Sequence, residues 1–194
     1  MEKLKSALSF GGILSEGDIA IIATAFQQRE LKPEEYFQEL GKTADKIVFV
    51  ETGVLRVFST DEHGNEVTKH FVKDNQFFAD MISYYSARPA TDGIQTATPC
   101  KIFWISLFTF EKLYADIPSL NIFFKSVSES TLLNKLKDND FLNFGNAKTK
   151  YLEFIKRYPK LAQQVPQQYI ASYLKITPQS LSRIRNELVK NSNK

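Results

Sequence analysis

Between residues 12 and 30 apolar side chains recur at helical spacing, with Ile19, Ile22, Ala23 and Phe26 on one stripe behind a cap at Ser15. The segment is predicted to be a short amphipathic helix. From Leu31 to about Ser106 the texture changes to short β-branched and aromatic runs at 46–50, 54–58 and 67–72. Glu51-Thr52-Gly53 and Asp61-Glu62-His63-Gly64-Asn65 punctuate them. Many short strands with turns between them predict an antiparallel sandwich or barrel. His63-Gly64-Asn65 suits a hairpin tip, because Gly and Asn tolerate positive φ.

After Ile105 the helical period returns, first over 107–114 and then, beyond Pro118, from Ser119 to about Asn139. Pro118 suits a helix start, where its missing N–H has no partner to lose. The second helix carries Leu120, Phe123, Phe124, Val127, Leu132, Leu133 and Leu136, more apolar surface than a lone connecting helix leaves in water. Packing on the β domain is one use for it. The reading preferred is that it serves partly as a dimer seam through Leu120, Phe123, Phe124 and Val127, although Ser130, Thr131 and Asn134 interrupt a clean heptad. Residues 138–145 read as a hinge, and a boundary is drawn near Phe144. The expected division is therefore a β-rich domain at 1–116, a long helix and hinge at 117–144, and a helical domain at 145–194.

Charge changes the picture of that last segment. The 194-residue chain has a formal net charge of +3. Residues 146–194 hold ten Lys or Arg against two acidic residues, and residues 1–145 hold fifteen against twenty. A basic tail on an acidic body is the electrostatic footprint of one part that meets nucleic acid and another that does not. Within the tail, Ile170, Ala171 and Leu174 form the inner face of one helix and Leu181, Ile184 and Leu188 that of a second. Ala171 allows a close crossing, Ile176 fills the corner, and Thr177-Pro178 supplies a cap and first turn. This is the pattern of a helix-turn-helix. Its second helix turns Gln179, Ser180, Arg183 and Arg185 outward from the half that enters a major groove. Arg183 is the candidate base reader, since a guanidinium bonds two acceptors of one guanine, while Gln168, Thr177 and Ser180 suit phosphate contacts. Lys175 stands where a left-handed residue is often needed, at a cost of about 1 kcal/mol.

Other chemistries find little support. With 43% hydrophobic and 24% charged residues the chain is expected to fold. No apolar run approaches the ~20 residues of a membrane span, and no secretory signal is visible, so a soluble cytoplasmic protein without membrane contact is expected. One cysteine, Cys100, excludes an intramolecular disulfide and a cysteine-only cluster. With two histidines, His63 and His70, on a hairpin tip and in a strand, no metal site, haem or other cofactor is expected. No paired catalytic carboxylates, Ser/His/Asp order or phosphate-cradling glycine loop is present, so an enzyme is not expected.

The order of β-rich domain, long helix and tail motif resembles the bacterial regulators that include the cyclic-AMP receptor protein and the fumarate-and-nitrate-reduction regulator. The resemblance spans nearly the whole chain. It rests on Gly41, Ala44-Asp45-Lys46-Ile47, Val50, Gly53, Leu55-Arg56-Val57, Gly64-Asn65-Glu66 and Phe77-Phe78-Ala79-Asp80 in the β domain. At the tail it rests on Gln168, Ile170, Ala171, Leu174, Ile176, Thr177, Leu181, Ser182, Arg183 and Ile184. It implies an α+β chain with an N-terminal jelly-roll of the cyclic-nucleotide-binding type, a long dimerisation helix, and a C-terminal all-α domain resembling a winged helix-turn-helix. It also implies a homodimer on palindromic double-stranded DNA, with RNA polymerase a further candidate partner.

The phosphate cassette departs from the family's nucleotide-binding pattern. Across the candidate pocket residues Phe78, Ala79, Asp80, Met81, Arg88 and Thr91, Ala79 replaces a glycine and Asp80 is one methylene shorter than the glutamate expected. Ala90 falls at the arginine's place, with Arg88 two residues early. A cyclic phosphate without a guanidinium partner is poorly matched, so cyclic-AMP binding is not expected and the effector is left open. The function expected is a dimeric transcription regulator; the alternative is a module that does bind cyclic AMP or cyclic GMP, with DNA binding secondary.

Overall fold

The computed structural model describes residues 1–192. Leu4 and Leu8, four residues apart, are the buried anchors of the first helix, α1 (Glu2–Leu8). After a 3₁₀ turn over Phe10–Gly12, Ser15 caps α2 (Glu16–Thr24), its hydroxyl accepting from the Asp18 N–H. The helix expected over 12–30 is thus shorter. Its last third is strand β1 (Gln27–Leu31), whose polar residues lie on an exposed sheet edge paired with β8 (Cys100–Ser106). Pairing, which local periodicity does not register, decides that segment.

Eight strands form two antiparallel four-stranded sheets. One has the order β1-β8-β3-β6, with β3 at Lys46–Thr52 and β6 at Gln76–Phe78. The other has the order β2-β7-β4-β5, built from β2 (Tyr36–Gln38), β7 (Gly93–Thr96), β4 (Leu55–Thr60) and β5 (Glu66–Val72). Alternate side chains meet between the sheets, where Val48, Val50, Leu55, Val57, Ile94 and Ile102 are buried. This is the expected sandwich, and Gly64 turns the β4–β5 hairpin with a φ of 81°. Cys100 is a core residue whose Sγ lies 3.2 Å from the Thr98 carbonyl oxygen, and burial pushes its thiol up to about 11. Gly53 is required beside it, since a Cβ there would lie 2.6 Å from that sulfur.

Between β6 and β7 lies α3 (Met81–Ser86). Beyond β8 follow α4 (Leu107–Asp116) and the 25-residue α5 (Ser119–Asn143). The first half of α5 packs inward. Leu120 and Phe123 are fully buried in a cluster with α1, α2, β3 and α4, and Phe124 and Val127 pack partly against it. This corrects the seam expected at Leu120 and Phe123, because the β domain uses that side of the helix, while Phe124 and Val127 keep part of their surface open. The apolar side chains left open are Ile122, Leu132, Leu133 and Leu136. The helix runs past the end expected at about Asn139, and the turn falls at the far end of the stretch read as a hinge. Phe141 is buried and Asp138 is hydrogen-bonded to the following helices, so α5 stays helical to Asn143 and the turn falls at Gly145, with φ of 90°.

The tail comprises α6 (Ala147–Arg157), α7 (Pro159–Gln164), α8 (Gln167–Tyr173) and α9 (Pro178–Ser192). Among the described residues no strand follows β8, so they contain no wing; the helical spacing of Leu181, Ile184 and Leu188 carries α9 on to Ser192. The four helices share their core with the β domain, as Val54, Phe71 and Ala97 join Phe154, Ile170 and Leu174 in one cluster.

Two side chains make this arrangement testable. Arg56 on β4 is 2% exposed and bonds Gln95 at 2.7 Å as well as Glu66. Arg56→Ala strands those partners and opens a cavity, and is expected to lower unfolding free energy in urea by about 3–5 kcal/mol. Lys175 does take the left-handed conformation, with φ of 56°. Lys175→Gly is therefore expected to stabilise by about 1 kcal/mol, read as a rise of a few degrees in thermal midpoint.

Candidate functional site

The tail presents one continuous polar face. Ile170, Ala171 and Leu174 of α8 and Leu181 of α9 are fully buried, Ile184 is nearly so, and Ile176 and Leu188 pack at the margin. The turn between the helices closes with the Ile176 N–H donating to the Ala171 carbonyl at 3.0 Å. Thr177 caps α9, its Oγ1 accepting from the Ser180 N–H at 3.2 Å and lying 3.0 Å from the Ser180 hydroxyl. Of the residues proposed from sequence to meet DNA, Gln168, Thr177, Gln179 and Arg183 are exposed, while Ser180 and Arg185 are half-buried. Thr177 and Ser180 spend their hydroxyls on one another. Ser182 and Asn186 are exposed beside Arg183 and were missed; their spacing of three and seven residues from Gln179 was the available signal.

This face is held at a set angle by contacts with the β domain. Strand β5 is a sheet edge, so its outer N–H groups need partners. The Thr68 N–H finds one in the Ser172 hydroxyl of α8, at 2.9 Å. Nearly one turn earlier in α8, the Tyr169 ring centroid lies 3.9 Å from the Arg56 guanidinium carbon, and that of Phe58 lies 4.4 Å from it. Arg56 thus joins sheet, hairpin and α8. A second junction forms at Asp138 of α5, which accepts from the Tyr158 hydroxyl at 2.5 Å and the Tyr173 hydroxyl at 3.2 Å and lies 3.5 Å from Arg157. Burial first, then the Asp138 charge, holds both phenols well above the ordinary tyrosine range.

The cassette residues are not brought together round one space. Asp80 caps α3, accepting from the Ser83 N–H at 3.0 Å and from Gln38 Nε2 at 3.2 Å. Arg88 and Thr91 are exposed, and the Arg88 guanidinium has no ion-pair partner among the described residues. The buried organiser is Ser83, which accepts from the Ala44 N–H and donates to the Arg88 carbonyl at 2.6 Å. Ala90, at the place of the family's arginine, is buried and pairs its backbone with Gly41 and Lys42. Phe78, Ala79 and Met81 line a groove against Phe124, Leu132 and Lys135 of α5, away from Asp80, Arg88 and Thr91. Lys69 meets Asp92 at 2.5 Å, so polar groups near the cassette end already have partners within the chain.

The two histidines differ sharply. His63 is exposed at the hairpin tip, whereas His70 of β5 has its Nε2 sealed from solvent without a hydrogen-bond partner. Burial, assisted by Lys135 and Lys69, pushes its imidazole down to about 3. A one-residue bulge at Lys69 of β5 sets its register against β4. Among the described residues no cluster of His, Cys, Asp and Glu could hold a metal, and no helix is long and apolar enough to cross a membrane.

Comparison with known proteins agrees with this geometry. The cyclic nucleotide-binding domain family matches residues 28–116. No curated protein matches the sequence. The c-di-GMP responsive global regulator CLP of Xanthomonas campestris superposes with a TM-score of 0.74 at 14% identity, covering 92% of this chain and 93% of that one. FixK2 from Bradyrhizobium japonicum does so at 0.67 and 16%, covering 86% of each chain. The catabolite activator protein of Thermus thermophilus gives 0.57 and 16%, covering 96% of this chain and 88% of that one. Residues 28–116 thus resemble the cyclic nucleotide-binding domain family, and the chain shares its overall fold with these three solved structures.

Proposed function

We propose that this chain is a dimeric, sequence-specific DNA-binding transcription regulator, acting in the cytoplasm and performing no catalysis. The observation that carries the reading is the open face of α9. Gln179, Ser182, Arg183 and Asn186 stand free on a helix whose opposite face is fully packed, within the basic part of the chain. In a helix-turn-helix these are positions that reach base edges, with Arg183 suited to the two acceptors of a guanine. Gln168, exposed on α8, suits a phosphate. Dimerisation through the open stripe of α5 places two such faces on a symmetric site with half-sites about 34 Å apart. Leu132, Leu133 and Leu136, each more than half exposed, support that use of the helix.

The sensor role is read as independent of cyclic AMP. Ala90 in place of an arginine, an exposed Arg88 and an Asp80 held by Ser83 and Gln38 all argue against a phosphate-binding cassette of the family's usual kind.

Calorimetric titration with cyclic AMP and cyclic GMP, paired with selection of bound sequences from random DNA, tests the whole reading. A palindromic selected site without nucleotide binding is the expected result; tight nucleotide binding that sharpens selection would favour the nucleotide-sensing alternative. Arg183→Ala is expected to lose about 1–3 kcal/mol of discrimination at one base position. Equal losses on every sequence would remove Arg183 as base reader. Leu133→Asp is expected to sediment as a monomer, and a variant that sediments like the parent would place the interface elsewhere.

A further inference from the structure

Three parts of the chain surround one cavity of about 190 Å³: the end of β5, the distal half of α5, and the C-terminal helices. His70 and Lys73 line it from the β domain, Lys135 and Asp138 from α5, and Tyr158 and Tyr173 from the tail. The cassette residues Asp80, Arg88 and Thr91 are not part of it.

Its charges do not balance. The Lys73 and Lys135 ammonium groups have no ion-pair partner among the described residues; they rest 4.4 Å over the Tyr158 ring and 5.9 Å over the Phe78 ring. Asp138, the single carboxylate in the lining, already accepts from two tyrosines and lies beside Arg157. Asp138 and Asp74 act on half-buried Lys73 from a distance, and Asp92, itself paired with Lys69, acts on exposed Lys135. The sealed Nε2 of His70 lacks any partner, and an orphaned buried polar atom is uncommon because leaving it so is costly. A ligand oxygen that reaches this nitrogen removes that cost, and its charge would lie beside two ammonium groups that no carboxylate of the described residues contacts directly. Size restricts the ligand further. The space equals roughly six water volumes, below the ~300–1,000 Å³ typical of drug-sized ligands.

We propose that this junction binds a small oxyanion, a phosphate or a short carboxylate, between Lys73 and Lys135 with the His70 ring nitrogen as a hydrogen-bond partner. Because Tyr158 and Tyr173 line the same space, occupancy biases how the tail helices sit on the β domain. That second clause rests on the regulator reading; the binding does not.

The test titrates the full chain with inorganic phosphate and, separately, malonate, against chloride of matched ionic strength, while ring-nitrogen NMR signals of both histidines are followed. The His70 signal is expected to shift to saturation and that of exposed His63 to stay still. Which probe saturates at the lower concentration separates phosphate from carboxylate. Lys73→Gln and Lys135→Gln are each expected to weaken binding about tenfold. Parallel, unsaturated shifts of both histidines, or saturation unaffected by either lysine change, would overturn the site. DNA selection, repeated with and without the saturating anion, separates the two claims. Selection that the anion leaves unaltered overturns the bias while leaving the regulator reading intact, and a chain that binds the anion but selects no DNA overturns the regulator reading, and the bias with it, while leaving the anion site standing.

Discussion

A buried guanidinium holds the molecule together as one unit. Arg56 leaves water entirely, and a charge so placed is tolerable only where bonded partners replace its hydration. Gln95 from β7 and Glu66 from the start of β5 bond its Nη2, and the rings of Phe58 and Tyr169 lie against the guanidinium, while its buried Nε has no hydrogen-bond partner among the described residues. Three of those four partners belong to the β domain and one to α8. The requirement to satisfy one cation thus ties the helix that supports the polar tail face to the second sheet. The free edge of β5 adds to the tie by donating from Thr68 to Ser172.

The Asp138 junction works in a related way from the opposite side. A carboxylate near the end of the long helix gathers two phenols and a guanidinium from the tail. The helix α8, against which α9 packs, is thus held by a cation in the β domain and an anion in α5. Asp138 lines the cavity at the end of β5, where an added charge would act on the contacts that fix the tail. Sub-ångström shifts matter in such a place because packed interfaces switch between discrete arrangements and do not deform freely.

Much of the fold was legible along the chain. The alternation in 46–72 marked strands because one face of each is buried between sheets, and the cap at Ser15, the turn at Gly64 and the strained Lys175 depend on neighbours within a few residues. The tail was readable for the same reason: Ile170, Ala171, Leu174, Leu181 and Ile184 pack against one another across a short turn. Errors fell where partners lie far apart. Gln27 to Leu31 join a sheet edge only because β8 arrives some seventy residues later, and Leu120 and Phe123 became core because the β domain claims their side of α5.

The sequence by itself determined the classes of element, their order, the inner faces of the tail helices and the split of charge, since each follows from local periodicity or from counting. Only the tertiary structure decided which apolar stripe of α5 stays open, that Arg88 is exposed, and that Arg56, Asp138 and His70 lie at junctions. Those properties depend on contacts between residues from about twenty to more than a hundred positions apart, which no local pattern encodes because the loss of water around each side chain is set by whatever packs over it.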